Sequence, residues 1–186
     1  MLILASRSPQ RRAILERLGV AFEVVVSDAP ELAIGDPIEV ASENALRKAR
    51  VVHQARGGGA GVVVLGADTI VAFDGRLFGK PTDEDHARHM LATLSGQSHL
   101  VVGAITLISA AGERTVSATT RVRFRTIDAR MLDWYIATGE WRERAGAYAI
   151  QGAGTALVRE LDGEYENVVG LPLAKLLDID PELLHR

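Results

Sequence analysis

Short apolar runs alternate with helically periodic segments along most of this chain, until two long β-type runs joined by a tight turn break the alternation. That order constrains the fold more than any other feature. Parallel strands need a crossover, usually a helix, whereas strands joined by a tight turn pair antiparallel. The run Leu2–Ala5 suits a buried strand, and Ser6-Arg-Ser-Pro9 interrupts it. Ala13, Ile14, Leu15 and Leu18 then recur at helical spacing over residues 10–18, with Gly19 as the stop. Residues 22–26 read as a second strand. Residues 37–56 form an alanine-rich helix with Glu early and Lys and Arg late, the charge order a helix dipole favours. Gly57–Gly61 breaks the chain before a buried strand at 62–65, which ends in Gly66-Ala-Asp-Thr69. Asp74-Gly75 marks a hairpin turn after residues 70–73. Residues 83–94 and 128–138 read as helices, the latter stopped by Gly139. Residues 99–108 and 114–125 are an antiparallel pair joined near Ala111-Gly112. Residues 147–161 are apolar and glycine-rich, Asp162-Gly163 makes a turn, residues 171–177 close as a helix, and Pro181 opens a last short turn. The expectation is an α/β fold with a mixed sheet, in one domain over residues 1–186.

Composition removes several function classes. The chain has no cysteine, which excludes disulfide scaffolds, thiolate zinc sites and thiol nucleophiles. Only 5% of residues are aromatic and the net charge is −3, a poor supply for stacking on bases or tracking a phosphate backbone, so no nucleic-acid partner is expected. The first apolar run is four residues long without a basic lead, and no stretch approaches a membrane span. With the absence of cysteine, this predicts a cytoplasmic protein without a membrane partner.

Familiar motifs also fall away. Gly79-Lys80 is followed by Pro81, and Gly75 lies one residue too close for a phosphate-binding Walker A loop. Gly57–Gly61 precedes a strand, the wrong order for a dinucleotide fingerprint. His86 and His89 lack the Glu of an H-E-x-x-H zinc motif and read as surface residues. Ser95 and His99 lack a nucleophile elbow.

Four segments carry candidate chemistry. Ser6-Arg-Ser-Pro-Gln-Arg-Arg12 leads from a strand into a helix, where free N–H groups and the helix dipole attract anions and arginines add charge-assisted bonds. An ordinary Ser/Pro helix start with solvated arginines explains the same residues. Asp68 and Thr69, at a strand end, suit a cation or a proton acceptor, or simply a turn. Lys80 on a stiff Gly-Lys-Pro loop suits a phosphate charge, and a surface lysine beside a turn is the plainer account. Lys48, inside the long helix, says nothing by itself. Arg121, Arg123 and Arg125 share one strand face, read as solvated. Gln151 lies in an apolar strand, where its amide offers donor and acceptor to a nucleobase edge or to the backbone.

Taken together, these pieces resemble the Maf family of nucleoside triphosphate pyrophosphatases over nearly the whole chain. The resemblance rests on Leu4-Ala-Ser-Arg-Ser-Pro9, Gly66-Ala-Asp-Thr69, Gly79-Lys-Pro81, Leu94-Ser-Gly96, Ala145-Gly-Ala-Tyr-Ala-Ile-Gln-Gly152 and Asn167-Val-Val-Gly-Leu-Pro172, six motifs in order. It implies an elongated α/β fold, similar to inosine triphosphate pyrophosphatases, with two lobes around a nucleotide cleft. It also implies hydrolysis of nucleoside triphosphates to monophosphate and pyrophosphate with a divalent cation, Mg²⁺ or Mn²⁺. A homodimer and a house-cleaning role in the nucleotide pool come with it. By position, Asp68 matches the proton acceptor and, with Glu31, the acidic metal site. Ser6, Arg11, Lys48 and Lys80 fall where phosphate contacts are expected, Lys80 with a catalytic role, and Thr69 and Gln151 match positions tied to base choice.

Two departures matter. Gln10 stands where the family usually has Arg after Ser-Pro, at a position linked to selectivity, and Ala149 replaces a common Gly. Ile150-Gln151-Gly152 is closer to the thymidine/uridine triphosphate branch than to the 7-methylguanosine branch, so a pyrimidine preference (dTTP and UTP) or modified nucleotides are expected. A carboxylate is a weak base at neutral pH, so a metal that lowers the pKa of its water would leave Asp68 to orient that water or take its proton. The rival classes are a nucleotide-binding regulator of cell division acting through partner contacts and, third, a nucleic-acid binding module.

Overall fold

Side-chain caps set where the helices begin. In a computed structural model that describes residues 1–57 and 61–185, Ser8 caps α1 (Pro9–Arg17), its hydroxyl accepting from the Arg11 amide while Pro9 supplies the first helical φ. Strands β1 (Leu2–Ala5) and β2 (Phe22–Val24) flank that helix in sequence. Asp36 caps α2 (Pro37–Ala55), accepting from the Ile38 and Glu39 amides. Strands β3 (Val63–Phe73) and β4 (Arg76–Phe78) turn at Asp74-Gly75. Asp83 caps α3 (Glu84–Leu94), strands β5 (Ser98–Ser109) and β6 (Gly112–Phe124) form the long hairpin, and Asp128 caps α4 (Ala129–Thr138), which ends at Gly139. Strand β7 (Val158–Asp162) and the helices α5 (Tyr165–Val169) and α6 (Leu173–Ile179) complete the chain. Most of the expected glycine-rich break at 57–61 falls on residues 58–60, outside the described ones.

Among the described residues seven strands make one mixed sheet in the order β2-β1-β3-β5-β6-β7, with β4 also on β3. β1 runs parallel to β2 and β3, and the remaining pairs are antiparallel. This is the α/β fold with a mixed sheet and flanking helices that the alternation predicts.

One feature of the pairing positions the site. β5 bonds one edge of β3 continuously from Val64 to Ala72. On the other edge β1 ends opposite Gly66 and the antiparallel β4 ends with Phe78 opposite Val71, so residues 67–70 have no strand there. Side chains alternate across a strand. Gly66, Asp68 and Ile70 therefore face α2, where Ile70 packs with Val40, Ala41 and Ala45. Ala67, Thr69 and Val71 face the opposite side. There the core splits, Ala67 joining Leu2, Leu4, Ile14, Leu15, Leu171 and Leu176, and Val71 joining Leu91, Leu94, Phe124, Tyr135 and Tyr148. Each fully buried Leu or Val contributes about 1.5–3 kcal/mol. Thr69 stands between these two lobes.

Four expectations are corrected. Gly66-Ala-Asp-Thr69 lies in the middle of an 11-residue strand and ends none. The glycine is required by packing, since a Cβ on Gly66 would lie 2.2 Å from the Ala45 carbonyl oxygen of α2. Gln151 is in no strand; it is an exposed extended residue between 3₁₀ turns at Ala145–Ala147 and Gly152–Leu157. The second strand stops at Val24, as residues 25–36 lead over the surface to the Asp36 cap. The last predicted helix begins at Leu173, because a short unanticipated helix, α5, precedes it and Pro172 separates the two.

Candidate active site

A cleft of about 1090 Å³ opens at the unpaired edge of β3 and collects Ser6, Gln10, Arg11, Glu31, Lys48, Asp68, Thr69, Lys80 and Gln151. They come from six separate stretches of chain, brought together because the gap in the sheet exposes both faces of β3 at one point.

On the α2 face, Asp68 is buried and fully engaged. Its Oδ1 accepts from Lys48 Nζ at 2.7 Å and its Oδ2 from Asn44 Nδ2 at 3.0 Å. Asn44 and Lys48 are one helical turn apart, so one face of α2 presents both donors. Asn44 also holds the loop before α2, donating to Leu32 O at 3.1 Å and accepting from Leu32 N at 2.7 Å. That fixes the neighbouring Glu31, whose Oε1 lies 2.6 Å from Lys48 Nζ. Burial pushes the Glu31 carboxyl up, but the Lys48 bond and charge, with Lys80 and Arg11, outweigh this and hold it below the usual carboxylate range.

On the other face, Arg11 is buried with three acceptors: Gly170 O at 2.8 Å, Ser6 Oγ at 3.0 Å and Thr69 Oγ1 at 3.0 Å. Burial lowers its pKa, partly offset by Asp68 and Glu31, and a guanidinium remains charged regardless. Arg12 points elsewhere, exposed and paired with Glu16 at 2.7 Å. Gln10 accepts from the Ser8 hydroxyl at 3.2 Å, so it is tied to the start of α1 at the cleft wall.

The rim is looser. Lys80 follows β4 and meets Glu143 at 2.9 Å, both largely exposed. Its loop is joined to the 145–147 turn by the Gly146 amide donating to Gly79 O at 3.1 Å. Gly146 has φ +69°, and a Cβ there would meet Val71 at 3.0 Å, so glycine alone suits both the backbone and the space. Gln151 is held from behind: the Glu140 carboxylate accepts from the Ala153 and Gly154 amides at 3.0 and 3.2 Å. Sequence reasoning missed Asn44, Glu143, Arg144 and the Gly170 carbonyl. Asn44 had a readable signal, a second polar residue with Lys48 on the apolar stripe of Val40, Ala41, Ala45, Ala49 and Val52.

The acidic pair fits a divalent cation of one kind. Asp68 and Glu31 already converge on one positive group, the Lys48 ammonium. Among the described residues no three His, Cys, Asp or Glu gather around one point, so a closed protein cage is not built. Mg²⁺ is usually held by one or two carboxylates completed by water and substrate phosphates, and two carboxylates facing an open cleft suit that mode.

The candidates excluded on sequence grounds are engaged with other partners. Ser95 Oγ accepts from the Ile127 amide at 2.8 Å, while His99 is buried and shares a 2.9 Å hydrogen bond with Tyr148 Oη. Arg121 and Arg123 lie on the exposed face of β6, opposite Asp162 and Glu160 of β7.

The chain is similar to several known proteins. The dTTP/UTP pyrophosphatase of Thermococcus gammatolerans is 46% identical over 189 residues, covering all of both chains. Those of Symbiobacterium thermophilum and Bacillus cereus are 44% and 40% identical, over 96% and 95% of this chain and 91% and 92% of theirs. Among solved structures, a nucleoside-triphosphatase (dITP/XTP pyrophosphatase) from Mycobacterium abscessus aligns with a TM-score of 0.42 at 24% identity, over 69% of this chain and 76% of that one. The Ham1 protein of Staphylococcus aureus aligns with a TM-score of 0.44 at 13% identity, over 66% and 71%. Residues 1–180 match the profile described as Maf-like protein, and the chain belongs to that family.

Proposed function

We propose that the protein hydrolyses nucleoside triphosphates, dTTP and UTP foremost, to the nucleoside monophosphate and pyrophosphate, clearing unwanted nucleotides from the pool. The observation that carries this is Asp68, pinned through both oxygens by Lys48 and Asn44 at the unpaired edge of β3, with Arg11 one side chain away on the opposite face. The activity for which the relatives are named, dTTP/UTP pyrophosphatase, supports the same reading. A partner-binding regulator is the weaker reading, since it needs no oriented carboxylate lining a large cleft.

In this mechanism Asp68 orients the attacking water and accepts its proton as the water oxygen bonds to the α-phosphorus. The bond from that phosphorus to the bridging oxygen breaks, and its electron pair leaves with pyrophosphate. Arg11 and Lys80 donate to phosphate oxygens where charge builds, the kind of electrostatic stabilisation that is usually the largest single term in catalysis. A divalent cation, held by Asp68 and Glu31, would neutralise phosphate charge and polarise the phosphorus. The Lys48 ammonium, paired with both carboxylates, offsets their mutual repulsion.

The same proposal includes a homodimer and a cytoplasmic place of action. Exposed apolar Val24, Val26, Ile34 and Ile38 support a covered surface around residues 24–38, and sedimentation would show it. Among the described residues no helix is long and apolar enough to cross a membrane.

The deciding experiment measures pyrophosphate release from the four ribonucleoside triphosphates, dTTP and 7-methylguanosine triphosphate, for the wild-type protein and Asp68→Asn. Asp68→Asn keeps the shape and removes the charge, so kcat should fall roughly 10²-fold or more, and excess chelator should stop the wild type. Near-wild-type turnover in the variant, or full activity in chelator, refutes the mechanism.

A further inference from the structure

Five cationic side chains line the cleft, and four are neutralised or hydrogen-bonded. Arg7 meets Asp28, Arg11 meets Ser6, Thr69 and Gly170, Lys48 meets Asp68 and Glu31, and Lys80 meets Glu143. Arg144 is different. It is half-buried at the cleft wall, its Nε is shielded from solvent without an acceptor, and among the described residues its side chain makes no hydrogen bond or ion pair. A buried guanidinium N–H without an acceptor is costly in a folded chain, so its persistence needs a reason.

The backbone around it supplies a second observation. Glu143 and Ala147 are non-glycine residues at φ +59° and +61°, and Gly146 between them is at +69°. Three left-handed positions in five residues make a strained segment, a feature that clusters at ligand clamps. The surroundings lock it: Trp141 Nε1 donates to Ile136 O, Gly146 N to Gly79 O, and Ala147, fully buried, donates to the Arg144 carbonyl. The segment is thus stapled to the Gly79-Lys80 loop, and the strain sets Arg144 on the wall shared with Lys80.

We propose that Arg144 is a substrate-contacting residue that donates to the pyrophosphate portion of the bound triphosphate, on the Lys80 side of the cleft, and holds that group as it leaves. It rests on the pyrophosphatase reading and adds to it the residue that completes the anion site. Arg144 makes and breaks no covalent bond; its planar fork matches two oxygens of a phosphate group.

The test is calorimetric titration of inorganic pyrophosphate, and separately of thymidine monophosphate, at fixed Mg²⁺ into the wild-type protein, Arg144→Gln and Arg144→Lys. Arg144→Gln should weaken pyrophosphate binding at least roughly tenfold, the range for a charge-assisted contact, and leave the monophosphate within about twofold. Arg144→Lys should recover part of the loss, and thermal melting should show all three equally folded. Unchanged pyrophosphate binding in Arg144→Gln, equal loss of both ligands with a lowered Tm, or no pyrophosphate binding by the wild type would overturn the assignment. If the wild type releases no pyrophosphate from any nucleoside triphosphate, the pyrophosphatase reading fails instead, and the pyrophosphate isotherms still decide Arg144.

Discussion

Arg11 buries its guanidinium among Ser6, Thr69 and the Gly170 carbonyl, whereas Arg12, one residue on, lies against Glu16 at the surface. The position of Gln10 made the register of these arginines the open question in the motif, and helix geometry answers it: successive residues point about 100° apart, so only one can face the cleft. Arg11→Ala should lower kcat/KM at least roughly tenfold for every nucleotide alike, since a lost charge-assisted contact costs about 1.5–3 kcal/mol. Arg12→Ala should stay within about twofold, the scale of an exposed i,i+4 pair. Steady-state kinetics on dTTP, UTP and GTP check both. Gln151 concerns the base. A neutral amide both donates to a pyrimidine carbonyl and accepts from its ring N–H, while a glutamate demands donors. Gln151→Glu should cut the preference for dTTP and UTP over guanosine triphosphates, because an unmatched buried edge costs about 1–3 kcal/mol. Equal rates on purines and pyrimidines before and after the change would remove Gln151 from base choice.

At the scale of elements, the pair that matters is α2 on β3. Gly66 lets the helix backbone lie directly on the strand, and the same helix turn-by-turn delivers Asn44 and Lys48 to Asp68. A methyl at Gly66 meets the Ala45 carbonyl at 2.2 Å and the Ala49 amide nitrogen at 2.8 Å, both backbone atoms that cannot rotate away. Gly66→Ala should therefore destabilise the fold by about 1–3 kcal/mol, as overpacking does, and depress kcat as well by moving Lys48 off Asp68. Urea denaturation with parallel kinetics tests this; unaltered stability would mean that α2 shifts without resistance. Lys48 shows why such a residue escapes a sequence reading. Its position on an apolar helix stripe is visible, but its partner Asp68 lies 20 residues away, on the strand that α2 packs against.

For the molecule as a whole, stability should depend on pH through His99. The imidazole is buried between Phe124 and Tyr148, and desolvation pushes its pKa from 6.5 down to about 4. The unfolded chain therefore binds a proton in the window between those values that the folded one refuses. Stability is complete above about pH 6.5 and is lost as pH falls through 4, by up to roughly 3 kcal/mol from this group. Denaturation of the wild type and His99→Phe at pH 7.5 and 4.5 should show a smaller acid loss in the variant. An identical pH dependence would assign the acid sensitivity to carboxylates such as Glu31.

Local chemistry alone determined much of this protein. Ser8, Asp36, Asp83 and Asp128 are helix caps, Asp74-Gly75 is a tight turn, and residues 99–125 alternate as a hairpin, because each needs only neighbouring residues to be satisfied. The ordered motifs likewise pointed to the right family and to the residues of the cleft. What tertiary structure decided was long-range pairing. Whether Gly66-Ala-Asp-Thr69 ends a strand depends on β5 pairing with one edge of β3 while β1 and β4 leave the other bare, a matter of register between segments far apart. Whether Arg11 or Arg12 enters the site, and whether Lys48 counts at all, depends on which helix face meets which side of the gap. Periodicity records that a face is buried; only the assembled sheet supplies what it is buried against.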